Sequence, residues 1–225
     1  MGWKASCILV NDREPGYLGT LPAHDAEATR RLIDDLGLGP ARSKGMTSFD
    51  EGMYPRDLVI GAYDGAAVIG SPTVGEHCFT LGDDPLMRRV LDRFPEAEIA
   101  RIGLHSVVNF WSYEFFDRGR LRRAYGGSAD DGVLVDLGEL LPEERPHFER
   151  SAMRDGERVF LVEVNGTTEE FDPSTYGEEL VFDVMGRFFG ANIARSTGEH
   201  DPFALVMEAF EPPRPRRWWW PFARA

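Results

Sequence analysis

Cysteine is nearly missing: Cys7 and Cys78 are the only two in 225 residues, and they form neither a C-x-x-C pair nor a Cys/His ligand spacing. That excludes a disulfide scaffold, gives no sign of a structural zinc site and fits a reducing compartment. Lysine is as scarce, since Lys4 and Lys44 are two of 25 basic residues and the other 23 are arginine. The bias reads as GC-rich bacterial coding rather than as a binding site. Long apolar runs are also absent. The first, Ala5 to Val10, gives way at once to Asn11-Asp12-Arg13-Glu14, and nothing approaches the ~18 residues of a spanning helix. The expectation is a cytoplasmic chain with no transmembrane segment and no secretion signal.

Positive charge is in short supply overall. The 25 bases face 38 acids, and the net charge of −13 has the wrong sign for attraction to nucleic acid. The imbalance is uneven. Residues 212–225 hold Arg214, Arg216, Arg217 and Arg224 and no acid, so the −13 divides into +4 there and −17 over the first 211 residues. Motifs of known chemistry are missing as well: there is no G-x-S-x-G elbow, no H-E-x-x-H, no P-loop or dinucleotide fingerprint and no EF-hand. No metal and no cofactor is expected on that ground. Active sites assembled from distant residues leave no such motif, so enzyme chemistry stays open.

What is present is ordinary globular composition, 42% hydrophobic and 28% charged. A chain of this length can bury roughly 70 to 75% of its extended surface. Residues 4–10 predict a central strand, and Asp25 opens a helix carrying Leu32, Ile33 and Leu36 that stops at Gly37. A loop rich in Gly, Ser and Pro follows. Leu58 to Ser71 predicts a hairpin, with Asp64-Gly65 suited to a type I′ turn. Asp84-Pro85 starts a second helix ended by Pro95.

From Ile99 to Phe116 the β-branched and aromatic content predicts one long strand, returning through Asp117-Arg118-Gly119 to Leu121–Tyr125. Gly126 to Gly132 is punctuated like a loop, and Val133 to Leu137 like a strand. A short helix within 142–153, a turn at Asp155-Gly156 and a strand from Arg158 to Val164 come next. Asp172-Pro173-Ser174 then introduces the strongest helix, ending at Phe189 with Gly190 beyond, and Leu205 to Phe210 reads as a closing strand. Hairpin-linked strands with about four interspersed helices argue for an α+β single domain with a largely antiparallel sheet over 1–210, followed by a Pro/Arg/Trp-rich tail over 211–225.

Among five histidines, only His105 falls inside a predicted apolar strand, where an imidazole must be hydrogen-bonded or exposed at an edge. In one strand His105 and Ser106 would face opposite ways, while His105 and Asn109 would share a face roughly 13 Å apart. The Gly126–Gly132 loop offers backbone N–H groups with Ser128, Asp130 and Asp131, a set able to cradle a polar ligand or cation, although Asp-Gly is also ordinary turn chemistry. The candidate polar site is therefore His105, Asn109, Ser128, Asp130 and Asp131, each with a plain structural alternative. Glu179, Asp183 and Arg187 recur every four positions on the last helix, a polar stripe expected to face solvent.

The tail is the segment that folding does not explain. Arg214, Arg216, Arg217, Trp218, Trp219, Trp220 and Phe222 combine indole and guanidinium, the pair suited to a membrane interface. Its arginines could supply up to about 4 kcal/mol at an anionic leaflet. Docking on the protein's own acidic surface or on a protein partner is the competing reading. The stretch RRWWWPF resembles the core of tryptophan-rich cathelicidin-type peptides, which implies shared physics only.

His105-Ser106-Val107-Val108-Asn109, the following hairpin, the Gly126–Gly132 loop and Gly177-Glu178-Glu179-Leu180-Val181-Phe182 with Gly190 together resemble an uncharacterised family of bacterial α+β proteins. The resemblance covers most of residues 1–210 and implies no activity or cofactor. Two functions remain: a non-enzymatic binding or interaction protein, and a metal-independent hydrolase or transferase using His105 with distant carboxylates.

Overall fold

The computed structural model describes residues 2–195 and 201–211. Residues 4–11 form β1 (Lys4–Asn11), apolar enough to be buried on both faces, and they take the fifth place in a nine-stranded sheet. The sheet also contains β2 (Arg42–Ser48), β3 (Leu58–Tyr63), β4 (Ala66–Gly70), β5 (Glu98–His105), β6 (Phe110–Asp117), β7 (Arg120–Ser128), β8 (Gly132–Gly138) and β12 (Val206–Glu211). Its order is β2-β12-β3-β4-β1-β5-β6-β7-β8, and every pairing is antiparallel. A second sheet holds β9 (Ser151–Arg154), β10 (Glu157–Val164) and β11 (Thr167–Phe171), with β10 in the middle.

Six α-helices lie among the described residues, not about four. The expected ones are α1 (Ala26–Asp35), α4 (Pro85–Arg93), α5 (Arg145–Glu149) and α6 (Pro173–Phe189). Asp25, Asp84 and Asp172 cap α1, α4 and α6 by accepting backbone N–H bonds, and Gly190 ends α6 in the left-handed conformation. The additional two, α2 (Phe49–Met53) and α3 (Pro72–Glu76), have five residues each. A segment little longer than one turn shows no 3.6-residue repeat for a sequence reading to detect.

Helices cover both faces of the large sheet. Leu32 and Ile33 of α1, Val74 of α3 and Met87 and Val90 of α4 pack on Ile8, Ile60, Ile69 and Ile99. On the opposite face Leu180, Val181, Phe188 and Phe189 of α6 meet Cys7, Leu9, Ile102, Trp111 and Tyr113, with Phe160 of the small sheet in the same cluster. Gly177 makes this approach possible, because a Cβ there would lie 2.2 Å from the Trp111 ring. The product is a three-layer, single-domain α+β fold.

Several local expectations change. Arg42–Ser48 is an edge strand rather than a loop, held by β12. At Asp64-Gly65 only Gly65 is left-handed, so the turn is not type I′. Arg13 explains this: it pairs with the Asp64 carboxylate and its Nε donates to the Asp64 carbonyl, while Asp12 N donates to Gly65 O at 2.7 Å. Between paired strands, the doubly left-handed pairs are Arg118-Gly119, Asp155-Gly156 and Asn165-Gly166. The first is a two-residue loop, since Asp117 faces Arg120 directly. The last closes the β10–β11 hairpin, a strand pair not anticipated from the sequence.

Candidate functional site

The long strand expected over 99–116 is two strands. His105 closes β5 opposite both Lys4 and Phe110, Ser106–Val108 make a 3₁₀ turn, and Asn109 (φ 46°) reverses the chain into β6. Asn tolerates that left-handed conformation better than most residues. His105 and Asn109 thus bracket a tight turn instead of sharing one strand face. The His105 ring meets Tyr54 edge-on, with centroids 6.4 Å apart, and its enclosed Nδ1 has no partner among the described residues. Ser106 turns elsewhere: its hydroxyl reaches the Glu178 carboxylate of α6 and the Trp3 carbonyl.

Gly126 and Gly127 belong to β7, not to a loop, and pair with Val135 and Val133. A Cβ at Gly126 would come within 2.7 Å of the Phe79 ring and of the Trp111 carbonyl, so glycine serves close packing here. The true loop is residues 129–131. Ser128 Oγ donates to Asp131 Oδ2 at 2.9 Å and accepts from Asp131 N at 3.1 Å. Ser128, Asp130 and Asp131 line a cavity of about 710 Å³ bounded also by Tyr125, Val133, Asp136, Met153, Glu157, Arg158, Asp172 and Ser174. Three of the five candidates are therefore brought together, while His105 and Asn109 line no part of this cavity.

The cavity has five acids and one base on its walls. Asp136 is paired with Arg123, which is almost fully buried and also binds Glu144 at 2.9 Å. Glu144 in turn accepts from Tyr113 Oη (2.5 Å) and from the Leu141 amide (2.8 Å). Burial works to raise the Asp172 carboxyl, but hydrogen bonds from Ser174 and Thr175 outweigh it and hold the group below the ordinary carboxylate range. A second buried network, Arg101 with Asp84, Glu114 and Thr80, ties the loop before α4 to β5 and β6. Neither network was anticipated, because a charge in a strand reads by alternation as facing water.

Nor does the stripe on α6 face open solvent. Asp183, Glu179 and Arg187 are all half-buried, and Asp183 and Arg187 line a cleft of about 570 Å³ with His147, Arg150, Asn192 and Arg195. His147 Nε2 lies 2.6 Å from Asp183 Oδ2, and its Nδ1 lies 2.6 Å from Tyr176 Oη. Asn192 Nδ2 donates to the other Asp183 oxygen at 2.7 Å. Arg187 binds Glu98 and Glu143, and its hydrogen bonds to Glu98 lead in raising its pKa further. Burial, helped by Asp183, pushes the Glu179 carboxyl up against the opposing pull of Arg195 and His147. Tyr176 was legible as the first member of the stripe, three residues before Glu179, but its partner on α5 is 29 residues away.

Fold and cavities together define an α+β protein with an antiparallel sheet, helices on both faces and two polar hollows flanking one helix. Residues 5–210 match a family of unknown function (DUF6928), and the chain belongs to that family. Nothing among curated proteins or solved structures matches it. The match agrees with the resemblance drawn from His105–Asn109, the 126–132 segment and Gly177–Phe182. Among the described residues no helix is long and apolar enough to cross a membrane.

Proposed function

We propose that this protein binds an organic cation in the acid-lined cavity at the start of α6. The supporting observation is that Asp130 and Asp131 of the β7–β8 loop, Asp136 of β8, Glu157 of β10 and Asp172 at the start of α6 are gathered around a single arginine, Arg158. A volume of about 710 Å³ suits a small organic molecule, and Tyr125, Val133 and Met153 add apolar wall for its carbon skeleton. Carboxylates left without cations create a negative potential that the cavity walls focus, and bringing an amine there relieves their mutual repulsion. The wider function is that of a cytoplasmic bacterial binding and interaction protein.

Calorimetric titration with spermidine tests this reading. Saturable binding that weakens as salt is raised is expected, with loss of most affinity in the combined Asp130→Asn, Asp131→Asn, Glu157→Gln variant. Binding that ignores those three substitutions, or none at low salt, contradicts it.

The tail residues Arg214, Arg216, Arg217, Trp218, Trp219, Trp220 and Phe222 lie outside the described residues. Their role as an attachment sequence for an anionic membrane surface or a protein partner rests on composition alone. Vesicle flotation of the full chain against one ending at Glu211 tests the membrane version, which requires that only the full chain float.

A further inference from the structure

The cleft beside α5 carries a different chemistry, independent of the cation cavity. We propose that Tyr176 is a nucleophile, activated by His147 and oriented through Asp183, that accepts a group from an anionic ester of a tetrahedral oxyacid, the phosphoryl and sulfuryl class.

The order of hydrogen bonds carries the argument. A carboxylate only accepts, so the 2.6 Å contact between Asp183 Oδ2 and His147 Nε2 places the imidazole proton on Nε2. In the neutral imidazole Nδ1 then holds a lone pair, and the phenol 2.6 Å away donates to it. The Tyr176 proton is thereby aimed at a base whose tautomer is fixed from behind, the arrangement by which weak oxygen nucleophiles are activated. Each member is itself held. Asn192 grips the second Asp183 oxygen at 2.7 Å, and the Tyr176 ring stacks on Phe160 with centroids 4.5 Å apart.

Charge indicates the donor. Arg150 and Arg195 line the same cleft as His147 and Asp183. Burial raises the Tyr176 pKa, as do Glu179 and Asp183, while Arg150 and Arg195 act on the phenol in the opposite sense, favouring phenolate. The two arginines line the cleft with His147, whose Nδ1 lies 2.6 Å from the Tyr176 oxygen, and so attract an anionic group to the mouth of this hydrogen-bond chain. Arg195 is also paired with Glu179, whereas Arg150 uses its Nε on the Pro146 carbonyl and has no acidic partner among the described residues. Arg150 is thus the residue assigned to the incoming anion.

In the step, the Tyr176 oxygen forms a bond to phosphorus or sulfur as its proton passes to His147 Nδ1. The bond to the leaving oxygen breaks, and that oxygen departs with the electron pair and takes the proton from His147. Asp183 stabilises the transient imidazolium. No oxidant or metal is consumed.

The test uses the full chain with 4-(fluorosulfonyl)benzoate, which joins a tetrahedral sulfonyl electrophile to a carboxylate, and maps modified tyrosines by mass spectrometry. Fluoride is the leaving group, and the proton remains on His147. Tyr176 should react roughly 10²-fold faster than Tyr54, an exposed tyrosine outside the cleft. His147→Ala should abolish that advantage and added imidazole should restore it, a rescue that a merely structural histidine would not give. His147→Gln serves as the second variant and should lose the same advantage, and an unchanged urea midpoint reports an intact fold. Arg150→Met should reduce labelling by the anionic reagent toward that by neutral phenylmethanesulfonyl fluoride. Equal rates at Tyr176 and Tyr54, or labelling indifferent to His147, would overturn the nucleophile. Equal preference for both reagents in the unmodified protein would overturn the anionic donor.

Discussion

The cavity at the start of α6 and the cleft along its later turns draw on the same charged residue types, carboxylates and arginines. Their charges are arranged in opposite ways. Of the cavity's five acids only Asp136 is ion-paired among the described residues. In the cleft, Asp183 meets His147, Glu143 meets Arg187, and Arg195 meets Glu179. Unmatched charge projects a field and attracts, at the cost of self-repulsion. Matched charge cancels at a distance but fixes the direction of each hydrogen bond. The first arrangement suits capture of a ligand and the second suits a defined proton path.

The comparison breaks most visibly at the floor beneath the cavity. Glu144→Ala leaves Arg123 and the Tyr113 hydroxyl without their buried acceptor and should destabilise the fold by about 3 to 5 kcal/mol, read from the urea midpoint. In the cleft, Asp183→Ala removes hydrogen bonds to a charged acceptor from His147 and Asn192. Its expected cost is about 2 kcal/mol, with little effect on spermidine binding.

Asp172→Ala removes the α6 cap and should cost about 1 kcal/mol. Because the Asp172 carboxyl is held below its ordinary value, the cap's contribution is complete above pH about 4 and is lost as pH falls through the folded-state value. Urea titrations of the native and Asp172→Ala proteins should therefore converge in acid. The smallest change in stability belongs to Asp130→Asn and Asp131→Asn. These exposed loop substitutions should move stability by less than about 0.5 kcal/mol while weakening cation binding.

Legibility from sequence followed the range of the interaction. Asp25, Asp84 and Asp172 announced three helices because a cap and its helix are contiguous, and Ala5–Val10 announced a central strand because both its faces are apolar. The break at Ser106–Asn109 was hidden by β-branched Val107 and Val108, whose strand propensity yields to the register that sets His105 against Phe110. Asn165-Gly166 is an equally local signal, a pair suited to a type I′ turn.

The sites divide the same way. Ser128, Asp130 and Asp131 lie within four residues and could be grouped by eye, although Asp172 and Glu157 complete their cavity from afar. His147 and Asp183 are 36 residues apart, with nothing local to pair them. The buried Arg101 and Arg123 networks join strands to a loop and a helix start, contacts that exist only once the sheet has closed.

Amide NMR chemical-shift mapping with spermidine tests the central claim most directly. Saturable shifts confined to residues around 128–133, 156–158 and 172–174, leaving the His147 cleft unmoved, are the predicted result. Shifts scattered over the acidic surface without saturation would contradict it.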